Sequence, residues 1–164
     1  MKSRTKLLDD LPRGGVIGVD PGRTSGAISY VWVEDGKVHG RAWPIGKMTE
    51  RDIWNRISYL SGFARLAVLE RVTAMRPKGR QVGVSSSFAF GRSYGELGMA
   101  LIAAGIRFER VLPIKWQTVL SCRSKGDKRI TKAKAEELFP DMRITHKTAD
   151  SLLIAEYGRR LSLL

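Results

Sequence analysis

The sequence predicts an α/β fold in which a buried central strand delivers a carboxylate to the edge of an open sheet. Residues 16–19 form a short apolar run without polar alternation, which is typical of a strand buried on both faces. The run leads into Asp20, and Pro21-Gly22 then ends the strand and turns the chain. Because open α/β sheets bind ligands at the carboxyl ends of their strands, Asp20 is a candidate site residue.

A second apolar run ends in the same way. Residues 66–69 resemble the first strand in composition and lead directly into Glu70. If the two strands are parallel neighbours, about 4.8 Å apart, both carboxylates open at one edge of the sheet and could share a cation.

The strands and helices between these runs follow a βββαβ order. Asp35-Gly36 predicts a tight hairpin between strands at 26–33 and 37–43. Apolar residues at helical spacing predict a helix from about Thr49 to Gly62, which carries the chain across to the Glu70 strand. A right-handed crossover is expected if that strand is parallel to the first.

The second half of the chain predicts one more strand and four helices. Serines 85–87 can cap a long helix that Gly105 closes, and Asp127 can cap a helix that runs to Phe139. The predicted segments are a helix at 85–104, a strand at 106–112, and helices at 114–120, 127–139 and 145–160.

Composition favours one nucleic-acid-binding domain. The 164 residues carry a net charge of +13, an excess that favours a polyanion as partner over solubility alone. Cys122 is the one cysteine, so an internal disulfide is excluded and a reducing compartment is expected. No run is long enough to span a bilayer. We expect a soluble, intracellular protein with a flexible basic tail at 1–13 and a single domain at 14–164.

Two basic segments are candidates for contact with the DNA backbone. The first is a loop at 71–83, and the second, at 121–134, holds six cations against one acidic residue. A charge run is usually only a solvated face, but the basic balance of the chain favours phosphate contact. The candidates are Arg76, Lys78, Arg80, Arg123, Lys125, Lys128, Arg129 and Lys132.

A third carboxylate lies in an otherwise apolar helix. Asp150 stands among alanine, leucine and isoleucine, where a carboxylate is costly unless it is paired or holds a metal. His146 precedes it by four residues, hence on the same helix face and within reach of the same site. Oxygen-rich clusters suit Mg²⁺ or Mn²⁺, and two such ions can hydrolyse a phosphodiester. The alternatives are a turn cap for Asp20 and ion pairs of Glu70 with Arg71 and of Asp150 with Lys147.

Glycines recur along one stripe of the long helix predicted at 85–104. Gly91, Gly95 and Gly98 are followed at the same spacing by Ile102. Glycine is costly inside a helix, so the stripe predicts that another backbone packs very close. That backbone is either the sheet of this domain or the same helix of a second subunit.

Taken in order, these motifs resemble the RuvC family of Holliday junction resolvases. The resemblance covers about residues 15–158 and is nearest to the branch found in phages, some bacteria and plant plastids. The motifs that carry it are Asp20-Pro21-Gly22, Leu69-Glu70-Arg71-Val72 and Ala149-Asp150-Ser151-Leu152-Leu153-Ile154-Ala155. Supporting matches are Phe88-Ala89-Phe90-Gly91-Arg92-Ser93-Tyr94-Gly95, Pro113-Ile114-Lys115-Trp116 and Leu138-Phe139-Pro140.

The resemblance implies an RNase H-like fold, a five-stranded mixed β-sheet flanked by α-helices. It also implies a homodimer that binds a four-way DNA junction and nicks two opposing strands with Mg²⁺. By the same resemblance Asp20, Glu70 and Asp150 would be metal ligands, and Lys115 matches a family lysine near the DNA. The helix at 85–104 would form the dimer seam.

Two positions depart from the family pattern. Lys147 stands where many members have a second aspartate, and His146 could take over its task as ligand or general base. Thr73 stands where bacterial members have a phenylalanine that wedges into the junction, which leaves Met75, Phe88 and Phe90 as candidates. Two other functions stay open: an RNase H-like binding protein without catalysis, and a nuclease for other branched DNA or structured RNA.

Overall fold

A computed structural model of the chain describes residues 11–72 and 83–161. They form a five-stranded mixed sheet in the order β3-β2-β1-β4-β5. The strands are β1 (Gly15–Asp20), β2 (Ala27–Glu34), β3 (Lys37–Pro44), β4 (Ala64–Glu70) and β5 (Phe108–Val111). The helices are α1 (Glu50–Ser61), α2 (Val84–Ala103), α3 (Pro113–Val119), α4 (Lys128–Leu138) and α5 (Ala149–Leu161). The predicted α/β fold is confirmed.

Strand β1 lies at the centre of the sheet. All six of its residues are buried, and it pairs antiparallel with β2 and parallel with β4. The parallel register places Val19 beside Leu69. Asp20 and Glu70 therefore end neighbouring strands at the same edge, as the two apolar runs predict.

The sheet separates two apolar cores, and strand alternation decides which residue enters which. Val16 and Val68 pack in the core that contains α5, whereas Ile17 and Leu69 pack in the core that contains α1 and α2. Since side chains alternate between faces, the even-numbered residues from Val16 onward in β1 and from Leu66 onward in β4 face α5. Asp20 and Glu70 consequently share that face.

Helix α5 crosses β1 in direct backbone contact at Gly18. A Cβ added to Gly18 would lie 2.1 Å from the carbonyl oxygen of Ser151 and 2.6 Å from the amide of Ala155. The hydroxyl of Ser29 on β2 donates a hydrogen bond of 2.7 Å to the same Ser151 carbonyl. This contact holds the first turn of α5, which carries Asp150, against the sheet.

Local capping signals are confirmed at several element ends. Thr49 and Asp52 form a reciprocal capping box at the start of α1, and Asp127 accepts a hydrogen bond from the Arg129 amide at the start of α4. Asp35 and Gly36 have φ of 51° and 73°, the left-handed pair that a tight hairpin requires.

One predicted helix start and one predicted helix cap are wrong, and one predicted strand is too long. Helix α5 begins at Ala149 and not at 145, because Thr148 Oγ1 accepts from the Thr145 amide and forms a separate turn. Helix α2 begins after Gly83 without a side-chain cap, so the serines at 85–87 lie inside its first turns. Strand β5 covers only four residues because its neighbours at 106 and 112 lie outside the ladder.

Part of the predicted tail packs on the domain. Residues 1–10 lie outside the described part of the chain, but Leu11 is buried and the Tyr30 hydroxyl donates to the Pro12 carbonyl at 2.6 Å. The loop candidates Met75, Arg76, Lys78 and Arg80 also lie outside the described residues. None of the described helices is both long and apolar enough to cross a membrane.

The contact at Gly18 leads to a stability prediction. Gly18→Ala should destabilise the fold by about 1–3 kcal/mol or more, because backbone of α5 occupies the space that a methyl group needs. The measurement is chemical or thermal unfolding followed by circular dichroism.

Gly62→Ala is the matched control for this substitution. Gly62 has φ of −68° and its nearest added-Cβ contact is 3.5 Å, so alanine fits there without strain. Equal stability of the Gly18→Ala and Gly62→Ala variants would contradict the direct helix–strand contact.

Candidate active site

Three carboxylates from three elements meet at the carboxyl edge of the sheet. Asp20 ends β1, Glu70 ends β4, and Asp150 is the second residue of α5. Asp20 is 7% exposed, and the Asp150 side chain is 16% exposed. The charges of Asp20 and Asp150 both raise the pKa of Glu70, and that of Asp150 raises the pKa of Asp20. The structure therefore joins the three predicted carboxylates in one electrostatic cluster.

Asp20 is held by the turn that follows its strand. The Gly22 amide donates to Asp20 Oδ1 at 3.3 Å, and the buried Ser93 hydroxyl of α2 donates to the Pro21 carbonyl at 2.9 Å. Burial raises the pKa of Asp20 to about 6, and the Asp150 charge adds to the rise. Lys128 and the Gly22 amide act in the opposite direction. Asp20 is thus more than a turn cap, since it also faces two charged groups.

Glu70 takes its hydrogen bond from a tryptophan. The indole Nε1 of Trp116, a fully buried residue of α3, donates to Glu70 Oε2 at 2.8 Å. Burial and, after it, the Asp20 charge raise the pKa of Glu70 to about 8, against the opposing effect of the indole hydrogen bond. The alternative ion pair with Arg71 is not formed in the described structure, where the Arg71 amide instead bonds the Val111 carbonyl.

Asp150 pairs with a lysine from another helix. The ammonium of Lys128, the first residue of α4, lies 3.6 Å from Asp150 Oδ2. This replaces the alternative pair with Lys147. The other oxygen, Oδ1, is buried and has no hydrogen-bond partner among the described residues. A buried carboxylate oxygen without a donor is costly, so this atom is available to a cation.

The donor set matches a hard divalent cation in its chemistry. Within residues 11–72 and 83–161, no three His, Cys, Asp or Glu side chains stand close enough to hold a metal ion as they are placed. The three carboxylates nevertheless supply oxygen ligands of the kind that Mg²⁺ and Mn²⁺ take, and one of their buried oxygens lacks a donor. The residues therefore fit such an ion, provided that their side chains close around it.

His146 lies in the turn before α5 and is exposed. Its charge lowers the pKa of Asp127, the cap of α4, after larger effects from Arg129. The described contacts do not join its imidazole to Asp20 or Glu70. The helical spacing used to predict its position does not apply, because α5 begins three residues later. Its role as ligand or general base stays a prediction.

The predicted basic segment divides into paired and unpaired cations. Arg129 pairs with Asp127, and Lys132 pairs with Glu136 one turn along α4. Such surface pairs contribute little to stability, and their cations can exchange partners for phosphate. Three exposed cations of α3 and of the loop before α4 form no ion pair among the described residues: Lys115, Arg123 and Lys125.

Exposed apolar residues mark the outer face of α2. Phe88 is 71% exposed on this face, whereas Phe90, two residues later and so near the opposite side of the helix, is 38% exposed; both wedge candidates are accessible. Outside the adjacent turns of α2, an added Cβ on Gly91 or Gly95 would meet none of the described residues within 4 Å, whereas one on Gly98 would approach Leu69. The stripe therefore splits: Gly98 packs on this domain's own sheet, and Gly91 and Gly95 face outward beside the exposed Ile102.

Two residues of the site carry more than their sequence context indicates. Trp116 belongs to a recognised motif, but it lies 46 positions from Glu70 in the sequence, so the sequence does not indicate that the two form a hydrogen bond. Lys128 is predicted as a phosphate contact, and the structure places its ammonium at the carboxylates. For these two contacts the sequence offered one signal, the order of the elements. That order leads α3 and α4 to pack on the sheet face where Glu70 and Asp150 lie.

Comparisons with known proteins find similarity in structure only. No protein-family model and no curated protein matches the chain. RuvC of Thermus thermophilus superposes with a TM-score of 0.63 at 18% identity, over 90% of this chain and 96% of that one. The same protein in complex with a Holliday junction substrate gives a TM-score of 0.64 at 18% identity, with the same coverage. The yeast mitochondrial Holliday junction resolvase Ydc2 gives 0.54 at 16% identity, over 94% and 81%.

These structures share the mixed sheet and the flanking helices described above. The comparisons do not separate the branches of the family, so the phage, bacterial and plastid branch stays a prediction. The chain therefore has the RuvC fold, the RNase H-like arrangement of a five-stranded mixed sheet flanked by helices that the sequence resemblance implies.

Proposed function

We propose that the chain is a divalent-metal-dependent endonuclease that binds four-way DNA junctions as a homodimer and cuts two opposing strands. One observation carries the proposal: Asp20, Glu70 and Asp150 meet at the carboxyl edge of a RuvC fold. Junction-resolving proteins with this fold, one of them solved with its junction, support the substrate class. The net charge of +13 supports a nucleic-acid partner.

The three carboxylates would hold Mg²⁺ or Mn²⁺, two ions in the sequence-based prediction. When bound, such ions activate a water and stabilise the leaving oxygen of a phosphodiester. The protein supplies the rigid strand ends and the buried surroundings that keep the carboxylate oxygens together. Lys128 reduces the repulsion among the carboxylates and lies where it can donate to a phosphate oxygen. His146 is retained in the proposal as ligand or general base for the attacking water.

The DNA contacts are proposed on the elements that adjoin the carboxylates. Lys115 and Trp116 are neighbours on α3, and Arg123 and Lys125 lie in the loop that leads to Lys128. Arg129 and Lys132 continue this basic surface along α4. Phosphate contacts from these side chains would fix the register of the backbone over the site.

The dimer is proposed to form along the outer face of α2. Gly91 and Gly95 leave open space there, and Phe88, Met99 and Ile102 expose 71%, 58% and 55% of their surface beside it. The spacing of these residues keeps them on one helical face. An apolar stripe with two glycines permits a second α2 to approach closely.

A second candidate function is an RNase H-like DNA-binding protein without catalysis. The observation that favours it is that the described side chains, as placed, form no group able to hold a metal, while Lys128 already pairs with Asp150. Cleavage of a junction by the purified protein separates the two functions. Binding without cleavage in both Mg²⁺ and Mn²⁺ favours this second one.

Removal of a carboxylate should separate binding from chemistry. Asp20→Asn and Glu70→Gln should lower the nicking rate at least about a hundredfold, since even outer-shell partners of a metal contribute about 10- to 100-fold. Junction affinity should persist because phosphate contacts come from other residues. The measurement is gel analysis of a synthetic four-way junction against a linear duplex in Mg²⁺.

Asp141→Asn is the control, since Asp141 is an exposed carboxylate outside the cluster. It should cleave as the parent does. Full nicking by Asp20→Asn would remove the cluster from the reaction.

The cluster should make metal-free stability fall as pH rises. The pKa of Asp20 rises from 3.8 to about 6 and that of Glu70 from 4.5 to about 8 on folding. Over this pH range the folded protein binds more protons than the unfolded protein. The stability that comes from this proton binding is therefore complete below about pH 4 and lost by about pH 8. Glu70→Gln should therefore melt several degrees above the parent at alkaline pH and close to it under acid conditions.

Thermal unfolding in a chelator across this pH range is the measurement. Glu136→Gln, which alters an exposed carboxylate paired on the surface of α4, should show no such widening gap. A constant difference between Glu70→Gln and the parent at every pH would disprove the raised pKa.

A large side chain at one of the outward-facing glycines should break the proposed dimer. Gly95→Leu should fold, because no described residue beyond the adjacent turns of α2 lies within 4 Å of the added Cβ, and should be monomeric. Overpacking of a close helix contact costs about 1–3 kcal/mol. Sedimentation velocity gives the oligomeric state, and paired incision of a junction should be lost with the dimer.

The matched control places the same side chain elsewhere. Asn55→Leu adds an exposed leucine to α1, away from the stripe, and should leave the dimer intact. A dimeric Gly95→Leu variant at the parent's concentration would exclude this face as the seam.

A further inference from the structure

The hydrogen bond between Trp116 and Glu70 has no counterpart among the contacts of the other two carboxylates. Asp20 accepts from a backbone amide and Asp150 pairs with an ammonium. Glu70 accepts from the neutral indole of a side chain that is fully buried. Among the described residues this indole is the one hydrogen-bond donor to Glu70, and no cation pairs with it.

Packing alone does not require an indole at this position. Trp116 lies in the core beneath α5 with Leu120 and Cys122, where a phenyl ring would supply most of the same apolar contact. The indole N–H, however, must find an acceptor when it is buried. The acceptor it finds is a carboxylate of the candidate site, at 2.8 Å.

A neutral donor differs from a cation in its effect on a carboxylate. Lysine or arginine at this distance would fix the carboxylate but would also oppose the binding of a second cation. An indole fixes one oxygen and leaves the charge of the group in place. Carboxylates that ligate metals are commonly oriented by such outer hydrogen bonds.

We propose that Trp116 is a positioning residue, whose indole N–H holds Oε2 of Glu70 so that the carboxylate is presented to Asp20, Asp150 and a divalent cation. This inference rests on the proposed metal-dependent function. Trp116 would not touch the substrate. Its place on α3, next to the exposed Lys115, links the element proposed to contact DNA with the orientation of Glu70.

The direct test is Mn²⁺ binding to the full chain, measured by electron paramagnetic resonance in the absence of DNA. Trp116→Phe keeps the ring and removes the donor, and should weaken Mn²⁺ binding by about tenfold or more. Junction nicking should fall correspondingly at low Mn²⁺ and recover as Mn²⁺ is raised. Junction affinity in a chelator should equal that of the parent, which a collapsed site would not permit.

Trp32→Phe is the matched control. Trp32 also directs its indole at a carboxylate, Glu34 at 3.4 Å, but it packs in the core on the opposite face of the sheet. This variant should lose about as much packing and keep the parent's Mn²⁺ affinity. Equal Mn²⁺ affinity of Trp116→Phe and the parent would overturn the positioning role.

A second measurement on the parent protein covers the case in which Trp116→Phe does not fold. The chain has four tryptophans, so ¹⁵N spectra show four indole N–H signals. Trp32→Phe, Trp43→Phe and Trp54→Phe assign three of them, and the fourth is Trp116. Its signal should shift on addition of Mg²⁺ while the other three stay in place, and an unchanged Trp116 signal would overturn the proposal.

The outcomes also separate this inference from the proposed function. A parent that binds no Mn²⁺ overturns both. A parent that binds Mn²⁺ but cuts no DNA contradicts the nuclease, while the Mn²⁺ affinity of Trp116→Phe still decides the positioning role. A parent that binds and cuts, with an unaffected Trp116→Phe, leaves the nuclease standing and removes the role of Trp116.

Discussion

The backbone contact between α5 and β1 at Gly18 is the constraint on which the site depends. Asp20 and Glu70 come together through strand register alone, but Asp150 reaches them only because α5 lies directly on the sheet. That approach needs a residue without a Cβ on β1, and it is secured by the Ser29 hydroxyl on the Ser151 carbonyl. A side chain at Gly18 would lift the first turn of α5 and carry Asp150 away from the other two carboxylates.

Bringing three carboxylates together has an electrostatic cost that their surroundings only partly offset. Burial and mutual repulsion raise the pKa values of Asp20 and Glu70, while Lys128, the Gly22 amide and the Trp116 indole act against the rise. No cation pairs with Glu70 in the described structure. The site is therefore best stabilised by a positive charge from outside the chain, which is the physical basis for the proposed divalent ion.

The sequence predicts the parts of this arrangement that depend on local pattern. The apolar runs that end in Asp20 and Glu70 predict two central strands. Asp35-Gly36 predicts the hairpin, and Asp127 predicts a helix cap. The start of α5 was not predictable from periodicity, because the Thr145–Thr148 hydrogen bonds form a turn that a helix pattern does not reveal. The partners of Glu70 and Asp150 depend on how α3 and α4 pack. The local sequences around Glu70 and Asp150 do not encode that packing.

Helix α2 shows how one element can serve the site and a proposed partner at once. Its inner face buries Ser93, which donates to the Pro21 carbonyl in the turn that follows Asp20, and Gly98, which approaches Leu69 of β4. Its outer face carries Gly91 and Gly95 among exposed apolar residues. The glycines of one stripe thus serve two different purposes. Gly98 permits close approach to the sheet, whereas Gly91 and Gly95 leave open space on the outer face. A second subunit seated on the outer face would rest on the helix that also fixes the turn beside Asp20, and the two active sites of the proposed paired cut would then share one rigid support.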